Sequence, residues 1–272
     1  MTAVRPPAAG DGRPSRLARR LGLGYAATGF ALTHLLFAAF ILFLLGWLPH
    51  PNVDGRASLG TGSAIAADLA LIVLFGLQHS GMARAGIKRL AVRFVAPDLE
   101  RATYVHFANL ALALLIFLWQ PVPATVWDVT AWWGKAPILA LFGLGWALAS
   151  WGSLLIDHLQ LLGMRQAWSW SQGRAYALKP FQRHRLYQAV RHPIQLGLLV
   201  AFWATPHMTA GHLVLAAGLT LYILLATRLE ERDLVAEFGE EYQAYRLSVP
   251  ALVPWLRFSR RAAGAAGGRA RR

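Results

Sequence analysis

The chain of 272 residues combines a high apolar content with a large positive charge. Hydrophobic side chains make up 56% of it and charged residues only 15%, and 27 Lys and Arg residues oppose 13 Asp and Glu residues. An ordinary soluble domain has about 45–50% apolar residues. Cysteine is absent, which excludes disulfides, thiolate metal sites and a cysteine nucleophile. The composition therefore indicates a membrane protein.

The apolar residues are concentrated in four runs, at positions 25–48, 64–77, 102–119 and 137–162. About 20 helical residues cross the ~30 Å hydrocarbon core of a bilayer, and the first, third and fourth runs approach or exceed that length. The first run follows a polar tail and lacks the small-residue cleavage site of a signal peptide, so we expect a retained anchor. The predicted fold is an all-α polytopic membrane helix bundle with about four full spans.

The basic residues flank these runs in an alternating pattern. Arg and Lys precede the first run, follow the second and the fourth, and close the chain, whereas the other connections are nearly bare. This pattern predicts that both termini are cytoplasmic and that the basic segments meet anionic lipid. Because the cations are divided among segments that flank spans, we expect no nucleic-acid partner. We predict a membrane domain over residues 21–256 between basic tails at 1–20 and 257–272, the second one disordered.

Residues 189–212, AVRHPIQLGLLVAFWATPHMTAGH, predict a helix that is too short to cross the bilayer. Proline suits the first helical position and keeps the residue before it out of the α region, so the helix should begin at Pro193. Pro206 should end it after about 13 residues, or roughly 20 Å. A second helix is expected from about residue 212 to Gly239. The two helices form a broken hairpin whose ends return to one side of the membrane.

The predicted hairpin brings the charged groups of two segments together: Arg191, His192, Arg228, Glu230 and Glu231. Ionisable groups at a membrane boundary are costly unless they are paired or used. They could serve only as helix caps and headgroup anchors. Against that interpretation, the segment FGEEYQAYRLSVPALVPW at 238–255 has aromatic residues and prolines typical of a lid over the hairpin ends. Carboxylates, guanidinium groups and ring faces together predict a site for a charged, adenine-bearing cofactor.

Several motifs carry a resemblance to a known family. LYQAVRHPIQLG, AFWATPHMTAGH and RLEERDLVAEFGEEYQAYRLSVPALVP resemble the C-terminal signature of membrane methyltransferases related to isoprenylcysteine carboxyl methyltransferase. FGLQHSGMAR, ERATYV and LQLLGMRQAW extend the likeness over most of residues 20–255, and the chain most resembles the bacterial methanethiol S-methyltransferases, which are similar to NnrU-like proteins.

The resemblance implies an enzyme of the bacterial inner membrane that uses S-adenosylmethionine. It would methylate a small volatile thiol, methanethiol, to dimethyl sulfide and release S-adenosylhomocysteine at the cytoplasmic face. The cofactor-binding part would be about residues 163–256. The positions that match the family's cofactor region are Tyr187, Arg191, His192, Gln195, Gly197, Arg228, Glu230, Glu231 and Tyr242. Gln195 stands where the prenylcysteine enzymes usually carry tyrosine, which weakens the interpretation that this protein methylates a carboxyl group. Another thiol or an isoprenoid-type acceptor remains an alternative.

A thiol acceptor needs help to ionise, since even the cysteine thiol has a pKa of about 8.5. The candidate catalytic residues are His79, Asp157 and His158. The candidate substrate-binding residues are Gln78, Arg165, Gln166 and Trp203. Each has a structural alternative: His79 can bond a neighbouring helix, Asp157 can pair with Arg165, and Trp203 can pack the hairpin. We expect His34, inside the first run, to be a packing residue.

Two functions from other classes remain open at this point. Histidines in or near the spans, at positions 34, 79, 106 and 158, are potential axial ligands of a haem or quinone electron carrier, which a Soret band would reveal. Broken helices also occur in transporters, where they build midplane sites. Substrate flux into sealed vesicles would identify a transporter.

Overall fold

The computed structural model describes residues 15–49, 52–177 and 185–253, which form a helical bundle with one two-stranded sheet. The first seven helices are α1 Arg16–Leu44, α2 Thr61–Met82, α3 Ala85–Ala91, α4 Glu100–Phe117, α5 Trp132–Leu155, α6 His158–Leu161 and α7 Met164–Ser171. The others are α8 Arg185–Ala189, α9 Pro193–Trp203, α10 Ala210–Phe238 and α11 Glu240–Ser248, with strands β1 Thr125–Asp128 and β2 His207–Thr209. The predicted all-α polytopic fold is confirmed. Most of the first predicted tail and all of the second lie outside the described residues.

Four of the described helices are long and apolar enough to cross a membrane: α1, α2, α5 and α10. The third apolar run forms α4, which has 18 residues and begins with the charged pair Glu100 and Arg101. The hairpin arm α10 has 29 residues, or roughly 43 Å at 1.5 Å per residue, which exceeds the hydrocarbon thickness. The long second arm therefore spans the apolar layer and continues beyond it.

The fourth apolar run is interrupted before its end. Helix α5 stops at Leu155, and Asp157 adopts a left-handed backbone conformation with φ of 79°. The Asp157 side chain then caps α6 by accepting a hydrogen bond from the Gln160 amide at 3.1 Å. Asp tolerates this conformation better than most residues because its short polar side chain can bond locally. Hydropathy predicted this span, but a single Asp within an apolar run is not enough to predict the turn between α5 and α6.

The predicted broken hairpin is present. Helix α9 begins at Pro193, with His192 as its N-cap, and α10 ends at the predicted Gly239. The connection between them contains β2, which pairs antiparallel with β1. Strands of three and four residues are too short to show a period-two pattern, so the sheet was not predicted. At this sheet end of the bundle, Trp127 Nε1 also donates to the Thr205 carbonyl oxygen at 3.0 Å.

Helix α9 lies against α5 at very close range. A Cβ atom placed on Gly197 would lie 2.4 Å from the Gly145 carbonyl oxygen and 2.6 Å from the Ala149 amide nitrogen. The reciprocal Cβ on Gly145 would lie 2.6 Å from the Gly197 carbonyl oxygen. Small residues permit such close backbone packing between membrane helices. The two glycines therefore fix how α9 is held in the bundle.

The apolar core fills the sheet end of the bundle. Helices α1, α4 and α9 contribute to it from their C-terminal halves, with Phe43, Leu115 and Phe202, and α10 contributes Leu215 from its N-terminal half. At the opposite end lie the basic residues near the start of α1, around α3 and before α9, and we call this the basic end. Most of the polar side chains predicted for the site lie at the basic end.

Candidate active site

The two arms of the hairpin meet at the basic end through a buried ion pair. Arg191 places Nε 2.8 Å and Nη2 2.6 Å from Glu231 Oε1, and the two side chains are 8% and 13% exposed. His192 Nε2 lies 3.1 Å from the same oxygen. One turn into α9, Gln195 donates to Glu230 Oε2 at 3.3 Å. The predicted approach of the two charged segments is confirmed.

The segment after α10 closes over this ion pair. Arg191 Nη1 donates to the carbonyl oxygens of Arg246 at 2.6 Å and Val249 at 2.5 Å. Tyr245 donates its hydroxyl hydrogen to the Tyr187 carbonyl oxygen at 2.5 Å. All three guanidinium nitrogens of Arg191 therefore bond to protein groups. Arg191 holds the site together, and its donors are already engaged within the chain.

Two tyrosines of this region are neutral, of which Tyr187 is partly buried and Tyr242 is buried. Tyr187 donates to the Gly152 carbonyl oxygen at 3.1 Å, and burial raises its pKa, with a further increase from the negative charge of Glu230. Burial likewise raises the pKa of Tyr242, which lies near Glu231. Tyr242 is 2% exposed and packs against Tyr245 at a ring distance of 5.7 Å. Its observed contacts are those of a core residue of the closing segment.

Glu230 and Arg228 are two charged groups of α10 that remain accessible next to Glu231 in the chain. The Glu230 side chain is half exposed, in contrast to that of Glu231. Arg228 is exposed on the same helix. A carboxylate and a guanidinium thus stand at the rim of the buried ion pair, where a ligand can reach them.

The end of α2 contributes a histidine enclosed by aromatic rings. The His79 ring centroid lies 5.4 Å from Phe75, 5.4 Å from Tyr104 and 6.3 Å from Tyr222. Tyr104 also donates to the His79 carbonyl oxygen at 3.2 Å. His79 Nδ1 and Gln78 Oε1 are buried without a hydrogen-bond partner among the described residues. Buried polar atoms of this kind are rare in proteins, so they mark a place for a ligand or a water.

Asp157 is engaged in holding the turn after α5. It forms an ion pair with Arg165 in addition to capping α6. Gln166 donates to the Gln160 carbonyl oxygen at 3.1 Å, and its own Oε1 is buried without a partner among the described residues. Arg165 also lines an open, mostly apolar pocket of about 500 Å³ together with Leu159, Met164, Trp168, Ser169, Tyr176 and Ala177. The carboxylate of Asp157 therefore has a clear structural task.

His158 is part of a hydrogen-bonded chain. Its Nδ1 lies 2.6 Å from Ser153 Oγ, and its Nε2 lies 3.0 Å from Nε2 of His34 on α1. Burial lowers the pKa of His158, the neighbouring His34 lowers it further, and Asp157 acts in the opposite direction. His158 is consequently neutral near pH 7 and can accept a proton.

Two predicted site residues lie apart from these clusters. Gly197 is buried in the contact between α5 and α9, where it packs against backbone atoms. Trp203 is the last residue of α9, roughly 15 Å from its first residue, and donates to Thr220 Oγ1 at 2.9 Å. Both positions are those of residues that support the hairpin.

Several residues that complete the site could not be identified from local sequence patterns. Tyr104 lies inside the third apolar run and Tyr222 inside the apolar part of the second hairpin helix, where aromatic residues are typical of a packed core. Ser153 has no distinguishing pattern. Arg246 lies in the closing segment, which its aromatic content had singled out. No group of three or more His, Asp or Glu side chains in the described ranges is placed to hold a metal ion.

The four long apolar helices and the polar groups that converge at the basic end define a polytopic membrane protein. The chain is 44% identical over 237 residues to methanethiol S-methyltransferase of Mycobacterium tuberculosis, which covers 87% of this chain and 97% of the relative. It is 45% identical over 225 residues to methanethiol S-methyltransferase of a Pseudomonas species, covering 81% and 86%. It is also 34% identical over 216 residues to nurim of Xenopus laevis, covering 76% and 72%.

The chain therefore belongs to the methanethiol S-methyltransferase family and is a methyltransferase. No protein-family model and no solved structure matches it.

Proposed function

We propose that this protein transfers the methyl group of S-adenosylmethionine to methanethiol, giving dimethyl sulfide and S-adenosylhomocysteine, at the cytoplasmic face of a bacterial inner membrane. The names of its relatives support the acceptor. The observation that carries the proposal is the meeting of Arg191, His192 and Gln195 with Glu230 and Glu231 at one end of the bundle.

The residues at the basic end fit S-adenosylmethionine chemically. Glu230 offers a carboxylate for ribose hydroxyl or amino hydrogens, and the exposed Arg228 offers a guanidinium for the carboxylate of the donor. The unpartnered atoms Gln78 Oε1, His79 Nδ1 and Gln166 Oε1 offer further polar contacts. The rings around His79 suit a sulfonium cation, which aromatic faces attract.

Other predicted residues organise this site without reaching the donor. Arg191 neutralises Glu231 and ties the closing segment to the hairpin, and Tyr187 links α8 to α5. Tyr242 and Gly197 supply packing in α11 and between α5 and α9. Such supporting residues keep reacting groups within the narrow range of positions that catalysis requires.

The donor, when bound, supplies a methyl group activated by its sulfonium charge. The protein has to make the thiol anionic and to exclude water from it. An apolar cluster of Tyr104, Val105 and Leu162, with Phe30 and Met82 packed against it, lies beside His79 and suits a small apolar thiol. A thiolate in such surroundings loses the hydration that would otherwise stabilise it before the reaction.

The direct test is gas chromatography of the headspace above purified protein, S-adenosylmethionine and methanethiol. We expect dimethyl sulfide above a heat-inactivated control. Glu230→Gln should weaken S-adenosylmethionine binding by about tenfold, because one charged hydrogen-bond acceptor is lost. Glu240→Gln, an exposed carboxylate on α11, should leave binding unchanged.

A folded sample that neither binds S-adenosylmethionine nor releases a sulfide would contradict the proposal. Binding without turnover of methanethiol would reject the acceptor alone and leave other thiols or isoprenoid-type acceptors to be tried.

A further inference from the structure

The first turn of α4 carries a guanidinium group that is fixed in place but unpaired. Arg101 donates from Nε to the Leu161 carbonyl oxygen at 2.6 Å, and its Cζ lies 4.5 Å from the centre of the Tyr104 ring. Within the described part of the chain, Arg101 forms no ion pair with a carboxylate, and its two Nη groups have no hydrogen-bond partner. The N–H groups of these two nitrogens are therefore available to a ligand.

The carboxylates on this side of the basic end act on a different cation, Lys88 of α3. Burial lowers the pKa of Lys88, Glu100 raises it, and Arg101 lowers it again, with smaller increases from Glu237 and Asp233. The guanidinium of Arg101 is instead directed towards the Leu161 carbonyl oxygen and the Tyr104 ring. Its positive charge is consequently not cancelled by direct contact with a carboxylate of the described residues.

The contacts of Arg101 place it at the edge of the apolar cluster proposed for the thiol. Tyr104, which the guanidinium covers, belongs to that cluster, and Leu161 precedes the cluster residue Leu162. The turn after Leu161 packs tightly on the start of α4, because a Cβ atom on Gly163 would lie 2.7 Å from an α4 amide nitrogen. The guanidinium is therefore held at a defined position beside the cluster.

The same edge of the cluster is open to water. Arg101 is the second residue of α4, at the basic end of the bundle, and it is partly exposed. Phe94 and Pro97, which lie shortly before it in the chain, are exposed. A proton released beside Arg101 can therefore pass to water without crossing the apolar core.

The apolar cluster alone would oppose ionisation of a thiol. Burial without a compensating charge raises the pKa of a thiol, whereas an opposite charge within about 4–6 Å lowers the pKa of an acid by about 1–3 units. Arginine stays charged at physiological pH, so it stabilises an anion but does not act as a base. An anionic acceptor at this cluster requires a fixed cation, and Arg101 supplies one.

We propose that Arg101 is a catalytic residue that stabilises the acceptor as a thiolate, with the sulfur against its guanidinium and the methyl group against Tyr104 and Leu162. The S–H proton passes to water at the basic end, and its electron pair stays on sulfur. That pair forms the new S–C bond to the transferred methyl group. The C–S bond of the donor breaks, and the donor sulfur keeps its electron pair and becomes neutral.

This inference rests on the proposed function and identifies the group that makes its acceptor reactive. The Tyr104 ring lies 5.4 Å from His79, so the thiolate and the rings proposed for the sulfonium are neighbours. Arg101 belongs to the motif ERATYV, which carried part of the family resemblance but contributed no predicted site residue.

Carbon-13 NMR of labelled methanethiol tests this role without turnover. The methyl carbon signal changes when the thiol ionises, and S-adenosylhomocysteine occupies the donor position while the pH is varied. In wild-type protein, bound methanethiol should have a pKa below that of methanethiol in water. In Arg101→Gln the pKa of the bound thiol should be about two units higher than in the wild type. Arg101→Lys keeps the charge and should lie between the two, and Arg89→Gln, at an exposed position of α3, is the control that should match the wild type.

The rate of methylation gives a second readout. At pH 7 and saturating thiol, Arg101→Gln should be about 100-fold slower than the wild type, since two pH units correspond to a 100-fold smaller thiolate fraction. The difference should shrink as the pH rises. Binding of S-adenosylmethionine should be unchanged, because Arg101 acts on the acceptor.

Two results would overturn the role of Arg101. The first is bound methanethiol that has the same pKa in wild type and Arg101→Gln, or that ionises in the wild type no more readily than in water, a result that does not depend on whether the variant folds. The second is a loss of S-adenosylmethionine binding in Arg101→Gln as large as in Glu230→Gln, because it would place Arg101 at the donor. Wild-type protein that neither binds S-adenosylmethionine nor releases a sulfide would instead overturn the proposed function.

Discussion

Arg191 illustrates how one side chain can hold a site together through bonds within the protein. Its guanidinium bonds to Glu231 and to two carbonyl oxygens of the closing segment, and its side chain is 8% exposed. A buried carboxylate without its partner is costly because the desolvation of the charge is no longer offset. Arg191 of the Arg-His-Pro triplet therefore acts as a structural clamp between α10 and the closing segment. Its positive charge offsets the cost of burying the Glu231 carboxylate.

Replacing this arginine should destabilise the protein strongly. Arg191→Met should cost about 3–5 kcal/mol of unfolding free energy, since it leaves Glu231 buried without a guanidinium partner. Thermal unfolding in detergent measures the loss, and Arg232→Met, at an exposed position of α10, is the control. The double variant Arg191→Met with Glu231→Leu should regain part of the stability because no buried charge is left unpaired. An Arg191→Met protein as stable as the control would refute the clamp.

At the scale of elements, the position of the short helix α9 depends on its contact with α5. The helix has 11 residues and is too short to anchor itself by spanning the bilayer. It is held instead by the close approach of Gly197 and Gly145. Because His192 and Gln195 sit in the cap and first turn of this helix, a shift of α9 would move them relative to Glu230 and Glu231.

A methyl group at this contact should be poorly tolerated. Gly197→Ala should cost about 1–3 kcal/mol, because the new Cβ meets backbone atoms that cannot move aside easily. Gly143→Ala in α5 is the matched control, since a Cβ there meets nothing within 4 Å and alanine favours a helix. Thermal unfolding and S-adenosylmethionine binding should both decline in the first variant and hold in the second. The same unfolding temperature in both would show that the contact has room to relax.

At the scale of the whole molecule, the bundle separates two ends with different tasks. The sheet end is filled by the apolar core and closed by β1 and β2. The basic end carries the Arg191–Glu231 ion pair and the unpartnered polar atoms of Gln78, His79 and Gln166. Since arginine and lysine favour the cytoplasmic side, we propose that the site faces the cytoplasm and that the sheet faces the other compartment.

The absence of cysteine makes this orientation straightforward to test. Single cysteines at two exposed positions, Arg89→Cys at the basic end and Thr130→Cys at the sheet end, can be labelled with a membrane-impermeant maleimide. We expect Thr130→Cys to react in cells with a permeabilised outer envelope and an intact inner membrane, and Arg89→Cys to react only after lysis. The reverse pattern would place the site outside the cytoplasm.

The sequence alone determined the membrane class, the first four apolar segments and the broken hairpin. These features follow from local properties, namely hydropathy, charge alternation and the backbone limits that Pro193 and Pro206 impose. The sequence also located the two charged segments that meet at the hairpin ends. A helix too short to cross the membrane, followed by a turn and a second helix, places the outer ends of both helices on the same side of the membrane.

The tertiary structure decided what each charged or polar residue does there. In the folded bundle, Arg191 and Asp157 form ion pairs and Gly197 lies in the contact between α5 and α9. His34 and His158, which are 124 residues apart in the chain, are joined by a hydrogen bond. Whether a given side chain is satisfied by a neighbour or left for a ligand depends on the distances between helices that are remote in the chain. No local pattern encodes those distances, because they arise from the packing of the whole bundle.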